Sequence, residues 1–167
     1  ELVYGRLESA KRIARYNLAR LETALDHQAD LVLSLEPTAT LCLKKEYAYL
    51  CGEERTRRVA EAARDATAFL VELLQAGRLD TRFRPVSRKV AYHCPCHTKL
   101  LGLNSPGKTL LEAVPGLTVA ALPSQCCGLA GTFGLQTDKY DLSMKIAEGL
   151  KQGIAAAQPD VLASECS

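Results

Sequence analysis

The chain has 167 residues, of which 47% are hydrophobic and 24% charged, the balance of an ordinary globular protein. Its net charge of +2 is too small to indicate nucleic-acid binding or attraction to an anionic membrane surface. No apolar run reaches the roughly 20 residues that a membrane-spanning helix requires. These numbers exclude the nucleic-acid-binding and membrane-spanning classes of protein and leave one domain, or two small ones.

The first half of the chain predicts helices around one short strand. Apolar residues three or four positions apart predict an amphipathic helix over 6–25. The short apolar run at 30–36 predicts a strand that stops at Pro37. Helices are then expected over 38–50 and, as one long element, over 53–75.

The second half alternates strands with helices after a polar connector at 78–88. The predicted elements are strand 89–93, helix 108–113, strand 118–122, helix 138–157 and strand 160–164. Because strands separated by helices need crossover connections, we expect an α/β fold with a largely parallel sheet flanked by helices.

A weak internal repeat suggests how these elements are organised. Residues 29–37 resemble residues 159–166, and each segment follows a long predicted helix. We therefore expect two repeated βα halves, with the end of a first half in 1–80 and a second half in 81–167. Pro37 stands where the second copy has Cys166, so the first half is expected to carry a degenerate motif.

Seven cysteines form an odd set that does not suit a disulfide framework, which is typical of small secreted chains with few helices. This helix-rich chain shows no leader at its start, so we expect a reducing, cytoplasmic compartment and metal or redox chemistry. Cys94 and Cys96 follow one predicted strand, Cys126 and Cys127 the next, and Cys166 the last. The carboxyl ends of parallel strands meet at one edge of a sheet, which predicts that these thiols converge.

The adjacent pair Cys126-Cys127 indicates the kind of site. A disulfide between neighbours is strained and rare, and two adjacent thiolates are poor joint ligands for one tetrahedral ion. Two adjacent thiolates suit a multi-iron cluster, and Gly128 allows backbone N–H groups to approach its sulfurs. The alternative is that both cysteines are buried small hydrophobic residues, as unpaired cysteines often are.

The spacing of these motifs resembles that of a known family. The pattern is Tyr-His-Cys-Pro-Cys at 92–96, Cys-Cys-Gly-Leu-Ala-Gly-Thr-Phe-Gly at 126–134, and Cys166. It is similar to the CCG (cysteine-rich) domain, which occurs in heterodisulfide reductase and in the iron–sulfur subunits of anaerobic glycerol-3-phosphate dehydrogenase and of glycolate and lactate oxidation systems. The segments Glu-Pro-Thr-Ala-Thr at 36–40 and Leu-Lys-Lys-Glu-Tyr at 43–47 extend the resemblance upstream.

The resemblance implies a [4Fe–4S] cluster, which is non-cubane in some members. By position its ligands are Cys96, Cys126, Cys127 and Cys166, with Gly128 in the cofactor-binding turn and Cys94 as a weaker candidate. The family's fifth cysteine would follow Ser167, so we expect a fragment that is one ligand short.

The implied function is that of a non-catalytic iron–sulfur electron-transfer module. Its partners would be a flavoprotein dehydrogenase subunit and other iron–sulfur subunits, with membrane association only through them, at the inner face of the cell membrane. Two alternatives remain: a zinc-binding structural domain built on the same cysteines and a histidine, and a thiol–disulfide redox protein using Cys126 and Cys127. A structural or supporting role is expected for His93, and Cys42 and Cys51 are expected to be thiols away from the site.

Overall fold

A computed structural model describes residues 1–166, apart from the side chain of Val3. The chain divides into two compact units, residues 1–69 together with Cys166, and residues 70–165. The interpretation of residues 1–80 and 81–167 as two related halves stays a prediction.

The first unit is mainly helical and contains a two-stranded parallel sheet. Its elements are α1 (Leu7–Asp26), β1 (Val32–Ser34), α2 (Pro37–Leu41), a π-helical segment (Cys42–Glu46), α3 (Tyr47–Cys51), α4 (Glu53–Ala62), β2 (Ala63–Asp65) and the start of α5 (Ala66–Gln75). Its core is a cluster of Leu18, Leu43, Val59 and Ala63, on which partly buried apolar side chains pack. The amphipathic α1 and the short β1 are as expected.

The expectation of one long helix over 53–75 is wrong. Residues Ala63–Asp65 are extended and pair in parallel with β1, with Val32 opposite Ala63. The carboxylate of Asp65 then accepts a hydrogen bond from the N–H of Ala68, 2.9 Å away, and satisfies a free donor in the first turn of α5. Apolar residues continue at three- and four-residue spacing from α4 through β2 into α5. Periodicity alone therefore does not reveal that a strand separates the two helices.

The second unit is an α/β layer built on a three-stranded sheet. Its elements are the end of α5, β3 (Arg88–Tyr92), α6 (Cys96–Leu100), α7 (Pro106–Glu112), β4 (Leu117–Ala121), a 3₁₀ turn (Phe133–Leu135), α8 (Tyr140–Ile146), α9 (Glu148–Ala157) and β5 (Val161–Ala163). The strand order is β4-β3-β5, and both pairings are parallel. This confirms the α/β class with parallel strands flanked by helices, although the helix expected over 138–157 is divided at Ala147.

The topology of this sheet creates a crevice at the carboxyl ends of β3 and β5, where the two connections diverge. The connection from β3 runs to β4 on one side, and the connection from β4 returns past β3 to β5 on the other. Because such crossovers are right-handed in nearly all proteins, the two connections leave on opposite faces of the sheet. Ligands of open parallel sheets bind in crevices of this kind.

Within residues 1–166, no helix is both long enough and apolar enough to cross a membrane.

Candidate metal centre

The two cysteine segments follow the adjacent strands β3 and β4 at the carboxyl edge of the sheet. Cys94 follows β3 by two residues, and Pro95 is the N-terminal cap that lets α6 begin at Cys96. Pro95 has the extended conformation of a residue that ends a strand. The second segment continues beyond β4, where the N–H of Leu122 still donates to the carbonyl of Tyr92, 3.0 Å away.

The structure brings the thiols of Cys96, Cys126 and Cys127 into mutual electrostatic range. The pKa of Cys96 is raised, first because it is partly desolvated and next because the Cys126 thiol is close to it. Lys99 opposes this shift, whereas the nearby Cys127 adds to it. Neighbouring thiolates repel one another, and a bound cation relieves that repulsion.

Gly128 fixes the shape of the cysteine turn. Its φ of +82° is a left-handed conformation that other residues rarely adopt, and a Cβ here would overlap the carbonyl oxygen of Ser143. The hydroxyl of Ser143 donates to the carbonyl of Gly128 at 2.9 Å, a buried hydrogen bond that attaches the turn to α8. A Cβ on Gly134 would overlap that same hydroxyl. Gly128 and Gly134 therefore both lie too close to Ser143 to carry a side chain.

This geometry leaves a backbone donor facing a thiol. The N–H of Gly128 lies 3.3 Å from the sulfur of Cys126. Backbone N–H groups of this kind stabilise thiolates and tune clusters that are held by sulfur. The turn therefore combines thiol ligands with a hydrogen-bond donor aimed at sulfur.

His93 is buried, with 6% of its surface exposed, and connects the ends of the three strands. Its Nε2 lies 3.1 Å from the carbonyl oxygen of Gln125, and since a carbonyl only accepts, Nε2 carries the proton. Its backbone N–H donates to the carbonyl of Ala163 in β5 at 3.0 Å. His93 thus supports the turn that carries Cys126 through its Nε2 atom.

A second link holds the chain just before Cys166. The hydroxyl of Tyr92 donates to the carboxylate of Glu165, with oxygen separations of 2.8 and 3.1 Å. Burial, and then the Glu165 carboxylate, raise the pKa of Tyr92 well above its usual range. A Cβ on Gly107 would overlap an oxygen of Glu165, so a glycine is needed beside this pair.

Two glycines of α9 allow the chain between β4 and Cys126 to lie close against that helix. A Cβ on Gly149 would overlap the side chain of Gln125, and a Cβ on Gly153 would come within 2.5 Å of the ring of Pro123. The two glycines are four residues apart and so share one face of α9. The residues before the cysteine pair are therefore held by helix packing as well as by hydrogen bonds.

The remaining cysteines lie elsewhere. Cys166 is exposed and groups with the first unit, so its assignment as a ligand depends on its place in the sequence, one residue after Glu165. Cys42 donates from its thiol to Glu46 at 2.8 Å, and Cys51 packs beside the core of the first unit, whereas the cysteine turn belongs to the second unit. All seven cysteines are among the described residues, and none is joined in a disulfide.

No group of three or more His, Cys, Asp or Glu side chains within residues 1–166 is arranged around one point as the ligands of a single metal ion would be. The sequence pattern pointed to the cysteines and to His93, but not to Tyr92, Glu165 or Ser143 as supporting residues. Tyr92 lies within the motif at 92–96, which was its only local signal.

Sequence comparisons find a family model and several known proteins that resemble the chain. The sequence model of the cysteine-rich (CCG) domain family matches residues 90–167. The chain is 29% identical over 162 residues to one of the subunits of the anaerobic glycerol-3-phosphate dehydrogenase of Escherichia coli K12, covering 97% of this chain and 40% of that protein.

Two other known proteins resemble the chain in sequence to a similar degree. The chain is 33% identical to lactate utilization protein A of Anoxybacillus flavithermus, over 79% of this chain and 55% of the relative. It is 29% identical to the glycolate oxidase iron–sulfur subunit of Escherichia coli K12, over 89% of this chain and 37% of the relative. The chain thus spans about two fifths to just over half the length of these relatives, and no solved structure gives a significant match. The match to the cysteine-rich (CCG) domain family thus falls on residues 90–167, the part of the chain that carries Cys96, Cys126 and Cys127 and their supporting contacts.

Proposed function

We propose that the chain is an electron-transfer module in which Cys96, Cys126, Cys127 and Cys166 hold an iron–sulfur cluster of the [4Fe–4S] type. The observation that carries the proposal is the proximity of Cys126 and Cys127 to Cys96 beyond the ends of β3 and β4, with the N–H of Gly128 directed at the sulfur of Cys126. The donor set fits such a cluster because its ligands are thiolates supported by backbone N–H groups.

A bound cluster supplies a one-electron redox centre. The chain's own residues provide its ligands and their support. Gly128 supplies the N–H donor and Ser143 holds the glycine in place. His93 fixes the carbonyl before Cys126, and Tyr92 fixes Glu165 before Cys166.

The wider context of the proposal comes from the relatives. Their names describe subunits of glycerol-3-phosphate dehydrogenase and glycolate oxidase and a lactate utilization protein. We infer that the chain works beside a flavoprotein dehydrogenase subunit and further iron–sulfur subunits, on the cytoplasmic side of the membrane, and that chemistry on the substrate belongs to a partner. Cys94 is a substitute ligand in this proposal, and a non-cubane geometry is one form that the cluster could take.

The test is anaerobic purification of the full-length protein, followed by analysis of iron and acid-labile sulfide. We expect a brown protein with iron and sulfide in equal amounts, and we expect Cys127→Ser to lose most of both. The matched control is Cys51→Ala, which removes a thiol from the other unit and should leave the iron content unchanged. Full iron in Cys127→Ser would overturn the ligand assignment. A colourless protein with stoichiometric zinc would instead favour a structural zinc site, and thiol-dependent redox activity without metal would favour a dithiol enzyme.

A further inference from the structure

A cavity of about 440 Å³ opens in the second unit between the carboxyl ends of β3 and β4. Cys94 borders it beyond β3, and Leu122 and Ser124 border it beyond β4. Its volume lies within the range of small-molecule sites. It lies at the carboxyl edge of the sheet, the edge at which open parallel sheets bind ligands.

This cavity is separate from the set of thiols assigned to the cluster. Cys96, Cys126 and Cys127 do not line it, although Cys94 and Ser124 bring it close to both cysteine segments. The residues that complete its wall come from α6, α7 and the loop between them. A ligand there would lie beside the redox site without replacing any of its thiols.

The charged side chains that line the cavity are both basic. Lys99 reaches it from α6 and Lys108 from α7, and among the described residues no acidic side chain lines it. Lys108 is partly neutralised by Glu112, at 2.6 Å between nitrogen and oxygen, whereas Lys99 has no ion pair within residues 1–166. The nearby carboxylate of Glu165 is engaged by the hydroxyl of Tyr92.

Neutral hydrogen-bonding side chains line the same cavity as Lys99. Asn104 and Ser105 also line the cavity, and their side chains can donate to an oxygen atom. A lysine with two neutral donors in a partly enclosed site suits an oxyanion, because charge-assisted hydrogen bonds are stronger than neutral ones.

We propose that the cavity bordered by Cys94, Lys99 and Ser105 binds a small oxyanion, a phosphate or carboxylate group, with Lys99 as its main anchor. The ligand lies against the thiol of Cys94, which is half-buried at the cavity wall. This assignment does not depend on the cluster, because no proposed ligand of the cluster other than the substitute Cys94 takes part.

The test uses Cys94 as a reporter in the full-length protein. Iodoacetamide labelling of Cys94 is followed by fragment-resolved mass spectrometry, with inorganic phosphate in one arm and citrate in another, each at constant ionic strength against chloride. We expect saturable protection of Cys94 in at least one arm. Protection by phosphate alone assigns a phosphoryl group, protection by citrate alone assigns a carboxylate, and either supports the site.

Variants of Lys99 decide whether the protection is specific. Removing a charged hydrogen-bond donor weakens binding by about tenfold or more, so Lys99→Ala and Lys99→Gln should raise the half-protecting concentration by at least that factor. Lys99→Arg should retain most of the affinity, and Lys145→Ala, an exposed lysine on α8, is the matched control. Calorimetric titration of the same proteins with phosphate and citrate measures binding independently of labelling. No saturable binding by either method, or equal binding in wild type and Lys99→Ala, would overturn the proposal.

Discussion

The Nε2 atom of His93 lies 3.1 Å from the carbonyl oxygen of Gln125, the residue directly before the adjacent cysteines. This hydrogen bond joins the central strand of the sheet to the turn that carries the candidate ligands. The backbone N–H of His93 also donates to the carbonyl of Ala163 in β5. One buried residue at the end of β3 is therefore bonded both to β5 and to the segment that follows β4.

Replacing His93 should loosen the cysteine turn. His93→Ala leaves the buried imidazole site empty and the carbonyl of Gln125 without its partner, which costs about 1–3 kcal/mol of unfolding free energy. We also expect a lower iron content in the anaerobically purified protein. His93→Gln retains an N–H donor and should recover part of both losses, while unchanged stability and iron in His93→Ala would show that the bond does not matter.

Gly128 and Gly131 form a matched pair for testing the turn. Both have positive φ, at +82° and +68°, but a Cβ at Gly128 overlaps Ser143 whereas no heavy atom lies within 4 Å of one at Gly131. We expect Gly131→Ala to cost about 1 kcal/mol from backbone conformation alone. Gly128→Ala adds a steric overlap that costs about 1–3 kcal/mol more, and should abolish metal retention. Chemical denaturation and iron analysis of the two variants check this order, which equal losses would contradict.

The Tyr92–Glu165 pair should make stability fall at high pH. The pKa of Tyr92 is raised in the folded state, so this contribution is complete below the unfolded pKa of about 10 and is lost as the pH rises towards the folded value. Above pH 10 the unfolded tyrosine has released its proton while the folded one keeps it. The unfolding free energy should therefore fall by up to about 1.4 kcal/mol per pH unit from this group.

Tyr92→Phe tests whether the Tyr92 hydroxyl causes this fall in stability at high pH. It removes a hydrogen bond to a carboxylate, worth about 1.5–3 kcal/mol at neutral pH, and it should flatten the decline above pH 10. Urea denaturation between pH 7 and about 11 measures both changes. Tyr140→Phe, at an exposed tyrosine on α8, is the control, and the same pH slope in Tyr92→Phe as in wild type would refute this account.

Cys42 should be the slowest of the cysteines to be alkylated near neutral pH. Partial burial, together with the hydrogen bond and charge of Glu46, raises the pKa of its thiol to about 12. Because the thiolate is the reactive form, labelling of Cys42 should stay slow until the pH is well above 9. Glu46→Gln removes the charge and should speed labelling at pH 9, as followed by mass spectrometry. An unchanged rate in that variant would show that burial alone protects the thiol.

The parallel α/β class was predictable because short apolar runs bounded by proline or polar residues mark strands β1, β3, β4 and β5. Strand β2 was not, since Ala63, Arg64 and Asp65 have low strand propensity and lie within a continuous helical periodicity. Their conformation is set by pairing with β1, a tertiary contact that local sequence does not encode.

The sequence indicates only part of the candidate site. Cysteines placed after successive strands indicate convergence at the sheet edge, and Gly128 indicates a close backbone approach. The contact from Tyr92 to Glu165 spans 73 positions, and the contact from His93 is to a backbone carbonyl that carries no sequence signature. Supporting contacts of this kind depend on the register of the sheet, which only the folded chain defines.

The glycines at 149 and 153 have a consequence for how the chain folds. Each lowers the helix propensity of α9 by about 1 kcal/mol relative to alanine, so this segment should be weakly helical as an isolated peptide. It gains its helicity when Pro123 and Gln125 pack into the space that the missing side chains leave. The helix and the approach to the cysteine pair therefore stabilise each other, so a side chain at either glycine should disturb the segment that presents the thiols as well as α9.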